Sequence, residues 1–424
     1  MVVLRSNGYP CTADTKRRGS AAWRHGCFRR LRLMTVSTYS ERPDAAAAQT
    51  GRLLFVDAAR AIAVLLMIQG HVISVLLTPE YQATEAAKAW LFVRGLTSCT
   101  FFFLSGFSFA VATARKWEEY RLPTWSLFRR LTRYLALLAF AYAMHLPGGS
   151  MKELLRGTPE QWLAFVTVDV LQLIAVSLLF LQAVAWFVRS RGGLGVVALV
   201  AAVSVILTTP VSWSAASSAS VPLAVSAYLS GAGGSLFPLF PWSAYVFFGA
   251  AAGSWYAARP AARPVGPTAR TALATGLGMV AAAALLHLIP FSPYGAIDFW
   301  SVSPNLFLVK AGFMLMALSV VIRAVSDRSR LPGLVTALSR QSLLVYVVHL
   351  MVLYHPDFGG DTVQRAALRL GPWETAAAAL NLIAAMSLLA WVAQQRRRYL
   401  ASVRGWARAR DAAASVANSA HALR

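Results

Sequence analysis

The sequence predicts an all-α, polytopic transmembrane helix bundle of about ten spans with both termini in the cytoplasm. Three observations predict it: the apolar composition, the length of the apolar runs and the placement of the basic residues. Of 424 residues 57% are apolar and only 13% charged, whereas an ordinary soluble domain carries about a quarter charged residues. The apolar residues gather in runs of about 20, enough to cross a hydrocarbon core of about 30 Å at 1.5 Å per helical residue. A formal net charge of +23 would suit nucleic acid, but basic residues on a membrane protein also hold loops in the cytoplasm. Their distribution supports the second role, so membrane lipid and not nucleic acid is the expected surroundings.

Residues 1–52 are rich in Arg and Lys and lack helical apolar periodicity, which predicts a disordered cytoplasmic tail. The first long apolar run begins only after Arg52 and is too long for a signal peptide. Met34, followed by a more ordinary polar lead-in, is a candidate start of translation. The runs place spans at 53–77, 88–113, 127–145, 162–188, 194–211, 236–258, 270–290, 304–325, 333–355 and 373–394. Together they make one transmembrane domain, 53–395, followed by a basic cytoplasmic tail, 396–424. With the first tail inside, the cytoplasmic segments hold 32 Lys and Arg and the outer half seven, Arg60 lying within the first span. Without the tails the bias is still 15 to 7, and a miscounted span would have spoiled it. The charge-free stretch Ser212–Ser235 is predicted outside, as a plain loop or a partly helical cover. Cys11, Cys27 and Cys99 lack metal-ligand spacing and their odd number gives no disulfide framework; no metal is expected.

Ionisable side chains at membrane depth cost about 2.5–3.5 kcal/mol on insertion scales and therefore face a partner or a water-filled cavity. The first span carries Asp57, Arg60 and His71, the second Arg94, the fourth Asp169, the eighth Lys310, and the ninth Arg340 and His349. His71, Arg94, Lys310 and His349 each lie six residues from the outer end of their span, and Asp169 seven. At 1.5 Å per residue this forms one layer roughly 10 Å below the outer surface, which implies a polar chamber opening outward. Arg60 and Arg340 lie seven residues inside the opposite ends, placed either to attract an anionic ligand or to snorkel to lipid phosphates.

The segment from Arg60 to His71, with ten residues between them, resembles the first-helix motif of the acyltransferase-3 family, and Phe101-Phe-Phe-Leu-Ser-Gly-Phe107 is similar to that family's second-helix signature. Val56-Asp57-Ala-Ala-Arg60 before Leu66-Met67, Val168-Asp169-Val-Leu-Gln172, Phe240-Pro-Trp242 before Gly249, and Ser342 to His349 resemble the sister family of heparan-alpha-glucosaminide N-acetyltransferases. Both belong to one transmembrane acyltransferase superfamily, and the likeness spans about residues 52–395. Ala59 and Ala61 flank Arg60 where the family usually shows Arg-Gly.

The resemblance implies a membrane O- or N-acyltransferase that moves an acyl group, acetyl first among them, from cytoplasmic acyl-CoA to a sugar or glycan acceptor on the other side. The setting it implies is a bacterial inner membrane. A base of near-neutral pKa would take the acceptor proton, and His71 is the expected catalytic group, as general base or transient nucleophile. His349 is the second candidate; Asp169 would orient either histidine or pair with Lys310 or Arg94, which are placed to bind the acceptor. Arg60 and Arg340 would meet the anionic parts of acetyl-CoA, with Asp57 as the ion partner of Arg60. Trp90, Trp242 and Trp300 fit interfacial anchors better than sugar platforms. The competing reading is a transporter or flippase using the same chamber; a homo-oligomer is left open.

Overall fold

In the computed structural model, residues 52–146, 158–216, 221–231, 233–259, 266–289, 293–295, 297–354, 363 and 367–422 are described. The expectations for residues 1–51, including Met34, Cys11 and Cys27, lie outside them. The described chain is helical, with a single isolated bridge between Leu77 and Leu370. Its long helices are α1 (Leu54–Leu76), α2 (Glu85–Arg115), α3 (Trp125–Ala143), α4 (Val170–Phe187, preceded by the short helix Pro159–Val166), α5 (Arg191–Ala216) and α6 (Leu239–Ala257). There follow α7 (Gly266–His287), α8 (Pro304–Val325), α9 (Gly333–Arg340), α10 (Ser342–Tyr354) and α11 (Pro372–Ala422).

Helices thus occupy all ten predicted stretches, but length and composition support fewer crossings. Seven helices are long and apolar enough, and α9 with α10 makes an eighth if that bent pair is one span. The other two places are α3, which carries Arg129, Arg130 and Arg133, and α6, 19 residues long with non-helical backbone at Phe240. The stretch Ser212–Ser235 is partly helical, through the end of α5 and the short helix Leu223–Leu229. Beyond 395, where a tail was expected, α11 continues unbroken to Ala422.

Lipid tails are as apolar as leucine, so helices in a membrane associate through close packing of small residues. The α2–α6 contact shows this directly. A Cβ at Gly106 would stand 1.8 Å from the Val246 carbonyl oxygen, one at Gly249 2.0 Å from that of Phe103, and one at Gly253 2.5 Å from that of Phe107. Gly276 and Gly312 bring α7 and α8 together in the same way. The Ser105-Gly106 pair of the Phe101–Phe107 segment, within α2, therefore serves packing: Gly106 lets two backbones touch while Ser105 bonds back to the Phe101 carbonyl at 2.7 Å.

Two breaks depart from the straight spans expected. Residues 167–169 are non-helical between Val166 and Val170; the Val168 amide donates to Ser235 Oγ at 2.9 Å, and its carbonyl accepts from Phe237 at 3.1 Å. Asp169 then caps α4, its carboxylate accepting from the Val170 amide at 2.7 Å. The predicted single span 333–355 is bent by 74° at Gln341 (φ −105°, ψ 17°). Ser339, donating to Asp57 of α1 at 2.8 Å, ties the first half down. Irregular backbone at membrane depth is tolerated only where protein or a cavity satisfies it, so both breaks point to the polar interior.

Candidate active site

The C-terminal third of α1 carries His71, and α10 packs beside it with His349, their ring centroids 5.3 Å apart. His71 Nδ1 lies 3.2 Å from the hydroxyl of Tyr354, the last residue of α10. His349 Nδ1 lies 2.8 Å from the Val345 carbonyl; a carbonyl only accepts, so Nδ1 carries the proton and, in the neutral ring, Nε2 carries the lone pair. That Nε2 is buried with no hydrogen-bond partner. His349 is 0% exposed, whereas His71 is only partly buried. Of the two rings, His71 is the more accessible.

Asp169 is linked to the histidines through a tyrosine. Its second carboxylate oxygen accepts from the Tyr346 hydroxyl at 3.2 Å, and the Tyr346 ring stands edge-on to His349 at 5.9 Å. It pairs with neither Lys310 nor Arg94. The capping box that fixes Asp169 is completed by Gln172, whose Oε1 accepts from the Asp169 amide at 3.3 Å while its Nε2 lies 3.1 Å from His145 Nδ1. Arg94 reaches across from α2 to α1, donating to the Gly70 carbonyl at 2.9 Å and to the Ser74 hydroxyl. A side chain at Gly70 would collide with it, a Cβ there meeting Arg94 Cδ at 2.3 Å. Arg94 thus tethers the backbone beside His71.

Four of the five groups expected in one layer form this cluster. The fifth, Lys310, lines a separate cavity that none of the four lines, so the one chamber of the sequence reading resolves into two polar sites. At the far end of α1, Arg60 donates to Ser108 Oγ at 3.3 Å and lies 4.0 Å from Asp57, the ion partner expected. Its side chain stays 24% exposed. Arg340 is exposed at the bend between α9 and α10.

Residues 52–293 match the family model "Heparan-alpha-glucosaminide N-acetyltransferase, catalytic". The chain belongs to that family. A comparison with the curated proteins finds no match. As a member of the heparan-alpha-glucosaminide N-acetyltransferase family the protein is a multi-pass membrane acetyltransferase, and the transporter reading gives way. The matched residues contain Arg60, His71, Arg94 and Asp169; His349, Lys310 and Arg340 lie beyond them, and only the fold brings His349 to His71. Sequence reasoning missed Tyr354 and gave no role to Tyr346 and Gln172, although both stand within the motifs quoted above. A tyrosine near a helix end reads as an interfacial anchor, and nothing in its spacing shows that it meets a histidine on another helix.

Proposed function

We propose that the protein carries an acetyl group from cytoplasmic acetyl-CoA through the bilayer to a sugar or glycan acceptor on the far side, with His71 as the base that takes the acceptor proton. The observation that carries this reading is the histidine pair: an accessible His71 backed by the buried His349, whose orientation Val345 fixes. As the acceptor's nitrogen or oxygen bonds to the acetyl carbon, the carbon–sulfur bond breaks, and the proton held at His71 is available to the departing thiolate. His349 and Tyr354 position His71, and Asp169 acts through Tyr346.

The donor fits the other end of the same helix. Arg60 stands eleven residues before His71, about 16 Å along the axis, a distance suited to an extended acyl-pantetheine arm. Its fork is held by Ser108 and Asp57 yet open enough to meet phosphate oxygens. Arg340, at the bend beside Ser339, is the second donor-side cation. Purified protein in detergent is expected to release CoA from acetyl-CoA and to N-acetylate glucosamine; intact protein with no turnover would refute the reading. Arg60→Ala should weaken acetyl-CoA binding by about tenfold or more, the scale of one lost charged hydrogen bond, while insertion and purification are unchanged. Equal donor affinity would leave Arg60 as a helix tie.

Ten spans, with both termini and the loop containing Arg115 and Arg121 in the cytoplasm, is the topology we favour for an inner-membrane protein. It counts α3 and α6 as crossings because the charge bias holds in every alternate loop. Reporter fusions at residues 120 and 262 should both report cytoplasm. An external signal at either would break the ten-span arrangement.

A further inference from the structure

Within five residues α3 carries Arg129, Arg130 and Arg133, and the fold treats them differently. Arg130 is buried. Its guanidinium lies 4.1 Å from the ring centroids of both Phe109 and Tyr120, and it donates to the Tyr134 hydroxyl and to Thr113 Oγ1, each at 2.8 Å. These contacts pin the start of α3 to α2 and to the short helix Trp117–Arg121. Arg129 and Arg133 are exposed, four residues apart and so neighbours on one helix face. Among the described residues no carboxylate lies within ion-pair distance of any of the three. Like charges at this spacing repel, and the buried third cation adds to the field.

The exposed face of α3 changes character along the helix axis. Near its start Trp125 and Phe128, 65% and 52% exposed, stack on each other at 5.2 Å. The arginine pair follows, and beyond Arg133 the face is apolar, with Leu135 and Phe140 exposed. Side chains on a helix lean toward its N-terminus. Arg129 does so, its guanidinium standing 5.9 Å from the Trp125 ring, and the same lean turns Arg133 away from the apolar strip. Rings and cations at one end with an apolar strip below them match the headgroup region and the acyl chains of one leaflet.

We propose that this face of α3 is a binding site for an acidic phospholipid, its phosphate held between Arg129 and Arg133 and its chains lying along Leu135 and Phe140. Charge complementarity selects the occupant. A net negative headgroup relieves the repulsion within the pair, whereas a choline headgroup brings a further cation to it. Neither arginine belongs to the cluster around His71, so the inference goes beyond the acetyl transfer proposed above and does not depend on it.

The test is native mass spectrometry of the full chain in detergent, titrated with phosphatidylglycerol or with phosphatidylcholine. The first phosphatidylglycerol should bind roughly 25-fold tighter, at about fivefold for each arginine near an anionic headgroup. Arg129→Gln and Arg133→Gln should each remove about fivefold, and the double variant should erase the preference. Both positions are exposed, and the single variants carry the same test should the double variant fail to fold. Arg323→Gln, at an exposed arginine already 3.9 Å from Asp327, is the control and should keep the preference. Equal binding of the two lipids, an unchanged preference in the arginine variants, or an equal loss in Arg323→Gln would overturn the proposal. Three further outcomes would also refute the lipid. Displacement by inorganic phosphate would make the pair a free-anion site, displacement by acetyl-CoA would assign it to the donor, and a dimer lost in the double variant would make the face a contact between copies.

Discussion

Replacing His71 by glutamine is expected to lower acetyl transfer by about 10²–10⁴-fold, the usual cost of a lost general base. Glutamine keeps polarity and much of the volume, and its amide can still meet the Tyr354 hydroxyl that His71 Nδ1 faces at 3.2 Å. What it lacks is a basic ring nitrogen to take the acceptor proton, so the variant separates chemistry from packing. It should fold, bind acetyl-CoA and fail to transfer, and His71→Ala should be hardly worse. His349→Gln is the informative partner. That ring is closed off from solvent and its Nε2 has no partner, so its loss acts by displacing His71 and should cost less than the loss of His71 itself. If well-folded His71→Gln transfers acetyl at the wild-type rate, His71 is structural and His349 becomes the candidate.

The second large effect is on assembly. Gly106→Ala and Gly249→Ala each place a methyl group inside a backbone carbonyl of the facing helix, at 1.8 Å and 2.0 Å. No rotamer relieves that contact, because the obstacle is main chain on both sides, and α2 and α6 must separate. Overpacking commonly costs about 1–3 kcal/mol and occasionally more; here about 3 kcal/mol or more is expected, visible as a lower melting temperature in detergent and a loss of folded protein. The sign is informative, since alanine is the better helix former by about 0.5–1 kcal/mol. Gly95→Ala, on the same α2 with nothing within 4 Å of its Cβ, is the control and should be neutral or stabilising. Melting of Gly106→Ala at or above the Gly95→Ala value would refute the interlocked α2–α6 contact.

Much of this protein is written in one dimension. Apolar run length follows from the thickness of the bilayer, and it located a helix at each of ten places. The spacing of Arg60 and His71 puts both on one helix, so their separation along its axis needs no tertiary information. Ionisable residues at membrane depth announce themselves by their cost, and that signal found His71, Arg94, Asp169, Lys310 and His349 without any contact being known.

Depth, however, is only one coordinate of a residue in a bundle. The rotation of each helix about its axis and the identity of its neighbours depend on which small residues allow close approach, and these decided that Lys310 faces Trp242 while His349 faces His71. The breaks at 167–169 and at Gln341 were equally hidden, because hydropathy averages over a window and cannot distinguish a straight span from one whose backbone is satisfied by Ser235, or whose entry is tied by Ser339 to Asp57. By itself the sequence determined that this chain is a helical membrane protein with costly ionisable groups within its apolar runs. Only the tertiary structure decided that those groups divide into two clusters, one of paired imidazoles and one of a cation among indoles, because side-chain partnership across helices is set by packing and leaves no period along the chain.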